Sequence, residues 1–326
     1  MPDIQITKAK ANLWSKLGSR ATYGMAVLEL SKEYEDLVVL TADTSTSAGL
    51  DRFRKSCPEK HVEVGIAEQN MVGIAAGLAS EGLRVLTSTF APFQTMRCCE
   101  QIRVNLGYMQ HPVRMVGLAS GVVLGPLGYT HCCVEDLSVM RSIPNITVLS
   151  PADCSETAKA TAAVLAHDGP VYMRLTGATN SPVVYAEDYD FEIGRAVRLR
   201  DGDDVTLIAT GMMVHESLRA ADLLCEQGID AAVLDMHTIK PIDRAAIAAA
   251  CRASRLIVTV EEHNVVGGLG AAVAEVVATL RGAPPQLVLG LPDSFGKPKD
   301  YAQILADAGL TAASICEKTR HALQIQ

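Results

Sequence analysis

The chain has 326 residues, 48% of them hydrophobic and 20% charged, with 29 basic side chains against 37 acidic ones and a formal net charge of −8. That length supports two domains with separate cores, and the composition excludes intrinsic disorder. The acidic balance, with no basic tract, excludes a nucleic-acid or anionic-membrane partner. No apolar run reaches spanning length, and Met1-Pro-Asp-Ile-Gln5 lacks the apolar core of a signal peptide, so a cytoplasmic location is expected. Nine cysteines include the adjacent pairs Cys98-Cys99 and Cys132-Cys133 but no C-x-x-C spacing. Reduced, packed thiols are the expectation, with no structural metal.

Strand-like runs alternate with helical stretches along the whole chain, the pattern of parallel sheets with crossover helices. In chain order the first half reads as strands over 37–41, 62–66, 84–87, 113–117, 147–149 and 171–174. Helices are expected over 21–32, 68–80 and 155–167, the last opened by Pro151-Ala-Asp153 with Asp153 as N-cap. Between 177 and 194 the pattern lapses into Asn180-Ser-Pro182 and the acidic Glu187-Asp188-Tyr-Asp190, an interdomain linker. The alternation then restarts: strand 205–210, helix 215–227, strand 230–235, a helix after Pro241-Ile-Asp243, strand 256–260 and helix 270–280.

Several segments carry chemistry. In His61-Val-Glu-Val-Gly-Ile-Ala-Glu68-Gln-Asn, an acid sits where a short apolar strand meets an Ala/Gly-rich helix. Glu68 there is desolvated unless a partner meets it, or else simply complements the helix dipole. Thr87-Ser-Thr-Phe90-Ala-Pro-Phe93 uses two of the five phenylalanines of the chain, either as core or as a stacking surface. Gly125-Pro-Leu-Gly-Tyr-Thr-His131 is a Gly/Pro-rich loop before a helix containing Glu135 and Asp136, so His131 is either a site residue or a helix-entry histidine. Asp43 ends the first strand, where α/β sheets assemble ligand sites, and a helix N-cap is the other reading. Gly267-Gly-Leu-Gly270 lacks the third glycine of a dinucleotide fingerprint, so tight helix–strand packing accounts for it. Glu261-Glu262-His263 does not meet the H-E-x-x-H metal pattern, and a loop at a subunit or cofactor-domain contact is expected there.

Taken in order, these motifs cover nearly the whole chain. The first half resembles the pyrimidine-binding domain of transketolases and the second half their C-terminal domain. The chain is most similar to the C-terminal subunit of split, two-component transketolases. The resemblance implies two α/β domains with mainly parallel sheets: a thiamine-diphosphate-binding pyrimidine fold over 1–190 and a transketolase C-terminal domain over 191–326. It implies thiamine diphosphate as cofactor and transfer of a two-carbon ketol unit from a ketose to an aldehyde. Glu68 then matches the glutamate that bonds ring nitrogen N1′ and favours the imino tautomer. Phe93, with Phe90 beside it, matches the ring stacked on the aminopyrimidine. His131 matches the histidine that steadies charge on a substrate oxygen. Asp43 and Arg97 fall near the cofactor, and Arg20 and Ser47 match phosphate-contacting positions.

Three positions depart from the family pattern: Ala119 replaces a histidine, Leu127 an aspartate and Gly177 an arginine. Each lost charge-assisted hydrogen bond costs about 1.5–3 kcal/mol of phosphate or sugar recognition. Either Arg174 supplies a replacement cation, or the acceptor is less polar and unphosphorylated. The Gly-Asp-Gly motif that holds Mg²⁺ is also missing, since Gly202-Asp-Asp204 lies in the wrong half. The resemblance thus implies a partner subunit carrying the diphosphate and Mg²⁺ site, in an α2β2 assembly. Three rival readings are a 1-deoxyxylulose-5-phosphate synthase-like reaction, a 2-oxo-acid dehydrogenase beta subunit, and a non-catalytic assembly or regulatory subunit.

Overall fold

Six strands of the first half pair in parallel: β1 (Leu37–Thr41), β2 (His61–Glu63), β3 (Arg84–Phe90), β4 (Val113–Leu118), β5 (Thr147–Leu149) and β6 (Val171–Arg174). The computed structural model describes residues 4–177 and 179–324. The strand order is β5-β6-β4-β3-β1-β2, so β4 and its neighbours are central, and all six residues of β4 are buried. Near-continuous apolar strands of this kind are what a sheet covered on both faces requires. The second half adds β7 (Val197–Arg200), β8 (Val205–Ala209), β9 (Ala231–Asp235), β10 (Thr238–Lys240), β11 (Leu256–Asn264) and β12 (Gln286–Leu291). Its sheet runs β12-β11-β8-β9-β7, parallel except for the antiparallel edge strand β7. The architecture is the expected pair of mainly parallel α/β sheets.

Element boundaries differ from the sequence reading for local reasons. The helix Glu68–Ser80 has the expected limits, whereas those at Ser19–Leu30, Cys154–Ala166 and Met213–Cys225 begin one or two residues early. Asp153 caps its helix by accepting from Glu156 N–H. The strand expected over 62–66 pairs only through Glu63, because Gly65 at φ +71° turns the chain out of the sheet towards Glu68. The helices Lys8–Leu17, Tyr301–Ala308 and Ala312–Gln324 and the strands β7, β10 and β12 have no counterpart in the sequence reading.

The two halves are joined by more than the linker. β10 leaves the second sheet and pairs antiparallel with β5, so a strand from the second half forms the edge of the first sheet. Backbone bonds from Ser150 N–H to His237 O (2.8 Å) and Gly211 N–H to Ser150 O (3.2 Å) continue the seam. The segment after Gly177 is also tied down. Asp153 Oδ2 accepts from Val184 and Tyr185 N–H at 2.7 and 2.8 Å, and Lys159 pairs with Asp188 at 2.9 Å. The rings of Tyr185 and Tyr189 stack at 4.1 Å, and their hydroxyls donate to Asp235 and Glu156, both at 2.7 Å.

Glu156 and Asp235 lie together, fully buried. Burial raises both carboxyls, Asp235 to about 7, against the opposing hydrogen bonds from Tyr185 and Glu156. An unfolded aspartate titrates near ~3.9, so the folded chain holds a proton that the unfolded chain releases. The stabilising contribution of Asp235 is complete below that unfolded value and is lost as pH rises through about 7. In Asp235→Asn this loss is removed. Melting temperatures measured from about pH 5 to about pH 8 should therefore shift progressively in favour of the variant; an offset independent of pH would show that the carboxyl pair does not titrate in that range.

Candidate active site

Glu68 is the first residue of its helix, and the preceding Ala67 offers no side-chain cap. Although it sits at a helix start, its side chain is only 4% exposed, and Arg97 Nη1 donates to its Oε1 at 2.8 Å. Among the described residues Glu68 Oε2 receives no hydrogen bond, which leaves an acceptor in a nearly dehydrated carboxylate. Arg97 belongs to the turn Met96–Cys98 after the short helix Ala91–Gln94. Its guanidinium lies 3.9 Å above the Phe93 ring, a cation–π contact, and its carbonyl accepts from Gln69 Nε2 at 3.0 Å. Phe93 meets Phe90 edge-on at 6.2 Å and His131 edge-on at 6.0 Å. Thr130 Oγ1 lies 3.0 Å from His131 Nδ1.

Residues drawn from three separate segments of the sequence, 68, 90–97 and 131, therefore share one surface. The C-terminal ends of β2 and β3 supply the first two groups, as expected where parallel strands end. Ile66 is 75% exposed and Met96 41%, so apolar side chains stand open to solvent beside the buried acid. Two buried thiols nearby are held in the protonated form. Burial, with the charge of Glu68 added, pushes Cys98 up to about 12, and burial pushes Cys132 up to about 11.

A second group surrounds the turn after β1. Arg20 Nη1 donates to Ser47 O at 3.2 Å, bringing the two expected phosphate-contacting residues together. The turn lies hard against the helix Ser19–Leu30, where a Cβ on Gly24 would collide with Gly49 O. Asp43 is exposed, with φ +55°, and its N–H donates to Glu63 Oε1 at 2.7 Å. Its N-cap reading is not met, since the next helix begins at Asp51 after Leu50. Glu63, which the sequence reading passed over, organises this corner. It also accepts from Thr41 Oγ1 at 2.7 Å and Gly65 N–H at 3.0 Å. Burial works to raise its pKa, but these hydrogen bonds outweigh burial and hold it below the usual value. As one polar residue in an edge strand it carried no signal beyond its alternation with Val62 and Val64.

Two expectations are corrected. Arg174 is not a substrate cation: it is 1% exposed, and its Nε lies 2.9 and 3.1 Å from the two carboxylate oxygens of Asp136. The Glu261-Glu262-His263 segment is not a contact loop but the end of β11, with none of the three more than 2% exposed. Glu261 accepts from Leu269 and Gly270 N–H at 2.6 and 2.8 Å, capping the helix Leu269–Val277. Burial lowers His263 to about 4, so it is neutral, bonding Asn264 O and Ser138 N–H. The glycines of the Gly267–Gly270 turn are steric: a Cβ on Gly268 would collide with Glu261, and one on Gly270 would lie 2.6 Å from Val288.

Comparison with known proteins shows the family. Residues 15–179 match the family model for the transketolase pyrimidine-binding domain, and residues 194–315 match that for the transketolase C-terminal domain. The chain belongs to the transketolase family. It is 40% identical to a 6-deoxy-6-sulfo-D-fructose transketolase subunit of Clostridium sp., with 91% of each chain covered. It is 39% identical to one of the subunits of an apulose-4-phosphate transketolase of Phocaeicola vulgatus, covering 92% of this chain and 96% of that one. A solved split-gene transketolase, described as an inactive beta4 tetramer, superimposes with a TM-score of 0.87 at 39% identity, over 94% of this chain and 99% of that one. Among the described residues no helix is long and apolar enough to cross a membrane.

The Glu68–Arg97 pair gives a direct test. Arg97→Met leaves a dehydrated carboxylate without its cation and should destabilise the chain by about 1–3 kcal/mol. Adding Glu68→Gln should recover most of that loss in denaturant unfolding. Equal stability of the parent and Arg97→Met would show that solvent satisfies the acid.

Proposed function

We propose that this chain is the pyrimidine-binding subunit of a thiamine-diphosphate-dependent transketolase, completed by a partner subunit that holds the diphosphate and Mg²⁺, as an α2β2 assembly. The observation that carries the reading is the convergence of Glu68, Phe93, Arg97 and His131 on one surface beside exposed Ile66 and Met96. The pyrimidine-binding unit is taken to run to about residue 190, with a strapped linker over 177–194, and the C-terminal unit from 191 onward.

The residues present suit an aminopyrimidine. Glu68 keeps one carboxylate oxygen free of hydrogen bonds in a nearly dry setting, which favours a short bond to a ring nitrogen and sharing of its proton. Phe93, backed by Phe90, offers a flat apolar ring. When bound, thiamine diphosphate would supply a thiazolium carbon that, once deprotonated, is nucleophilic towards a ketose carbonyl. Arg97 holds Glu68 in place and covers Phe93. His131, edge-on to Phe93, would donate to a substrate oxygen that gains charge as the carbon–carbon bond breaks. Asp43 flanks the cofactor side, and Arg20 with Ser47 takes the distal end of the sugar.

A specialised acceptor or donor, less dependent on a phosphate, follows from the same residues. Leu127 is 58% exposed where the family has an aspartate, and Arg174 is enclosed. Arg20 remains as the cation among the residues assigned to substrate. Two relatives are named for unusual sugars, one sulfonated and one phosphorylated, and it is the sulfonated one whose name is in line with this reading.

The decisive experiment mixes this chain with its diphosphate-domain partner, thiamine diphosphate and Mg²⁺, and offers phosphorylated, sulfonated and unphosphorylated ketoses. Turnover should need both subunits, and Glu68→Gln should lower kcat by about 10²–10⁴-fold. Turnover by this chain alone would sink the two-subunit reading. Undiminished kcat in Glu68→Gln would sink the role of the acid.

A further inference from the structure

His131 stands in a loop whose two ends meet. Gly121 and Cys133 exchange backbone hydrogen bonds of 2.8 and 2.9 Å, so the loop between them is closed at its neck. The neck is held by the other half of the chain. Glu262 Oε1 accepts from Val122 N–H at 2.7 Å, and its Oε2 accepts from the Tyr301 hydroxyl at 2.7 Å. Arg174 Nη2 reaches Glu262 O at 2.8 Å and Cys133 O at 3.4 Å. Gly121 has φ +68°, and a Cβ there would collide with the Glu262 carboxyl, so the carboxyl is seated against bare backbone. Further out, Tyr129 meets Phe295 edge-on at 5.3 Å, and a Cβ on Gly125 would collide with Lys299 O. The loop thus rests on the second half at its neck, middle and outer turn.

We propose that the C-terminal half acts on the reaction through Glu262, a positioning residue that clamps the neck of the 121–133 loop with Tyr301 and Arg174 and so fixes where His131 stands. This rests on the transketolase reading above and adds a role for a half that contributes no group to the Glu68 surface. Glu262 is 2% exposed and is enclosed by its partners, so it works through the loop and not on substrate. Both side-chain bonds run into one buried carboxyl group, so removing it strands the Val122 N–H and the Tyr301 hydroxyl without their partner. A chain segment fixed at both ends by such bonds cannot wander, whereas a displacement of about 1 Å at a substrate-facing group costs on the order of 10²-fold in rate.

The test uses Glu262→Ala, the milder Tyr301→Phe, and Glu262→Gln, whose amide oxygen still accepts from Val122 N–H. In the full chain, hydrogen exchange at Gly121, Val122 and Cys133 should accelerate in Glu262→Ala and Tyr301→Phe, with the amides of β3 and β8 unchanged and Glu262→Gln near the parent. In the enzyme assembled with its partner, kcat should fall roughly 10- to 100-fold in Glu262→Ala, while the thiamine diphosphate requirement stays constant. Combined with His131→Asn, Glu262→Ala should add no further loss, because both changes remove the same contribution. Unaltered exchange in a folded Tyr301→Phe and Glu262→Ala pair would overturn the clamp. Losses that multiply in the double variant would overturn its link to His131. If the parent assembly has no transketolase turnover, the proposed function fails, and the exchange measurement still decides the clamp by itself.

Discussion

Arg174 brings a guanidinium into the seam between the two sheets, where solvent does not reach it, and Asp136 answers with both carboxylate oxygens. Dehydrating two charges is costly, and the attraction between them recovers that cost only when the remaining donors and acceptors are also satisfied. Here they are. Tyr172 donates to Asp136 at 2.7 Å, and Arg174 spreads its other nitrogens over Thr176 Oγ1, Cys133 O and Glu262 O. One ion pair therefore fixes the end of β6, the start of the helix Asp136–Ser142, the neck of the 121–133 loop and the end of β11. Removing either partner would leave a buried charge alone, and the bond from Arg174 Nη2 to Glu262 O at 2.8 Å ties this pair to the register in which the second half docks.

That register has consequences for the surface where Glu68 lies. Because β10 extends the first sheet and Tyr185 and Tyr189 staple the connecting segment to Glu156 and Asp235, the second half cannot swing as a body on a loose tether. These ties lie at the β10–β5 edge of the first sheet and along the connecting segment. Glu68, Phe93 and Arg97 sit towards the opposite edge, on a helix start, a short helix and a turn. Buried titratable groups divide in the same way. Glu156, Asp235, Glu261 and Glu262 are all raised by burial and lie behind the sheet or in the seam, holding the halves together. A perturbed carboxyl marks a functional site only when it also opens on a surface, and these four do not.

Much of this was legible in the residues, and the failures have common causes. Helix Glu68–Ser80 was readable because Gly65, the acid and the Ala/Gly run coincide at its start, each pointing to the same boundary. The grouping of Phe93 with His131 came through family likeness; no periodicity in one chain reveals that residues nearly forty apart meet edge to edge. Arg174 and Glu261-Glu262-His263 were misplaced because charged residues are normally outside. Their burial depends on partners, Asp136 and the N-terminus of the helix Leu269–Val277, that only the tertiary fold supplies. β10 escaped notice for a related reason. Three residues have no strand periodicity of their own, and their pairing with β5 is decided by the docking of the halves.

The site that results is open in a particular way. A dehydrated carboxylate is normally hidden beneath its own domain, yet here Ile66 and Met96 lie bare beside Glu68. Apolar side chains of that size are exposed at a cost of about 25 cal/mol for each Å² left in water. In the proposed assembly this exposed pair is the margin that a partner subunit would cover, and Glu68 lies beside it. The same residues therefore give both halves of the proposal: an acid with one oxygen free of hydrogen bonds for a ring nitrogen, and an apolar margin onto which a partner subunit can close.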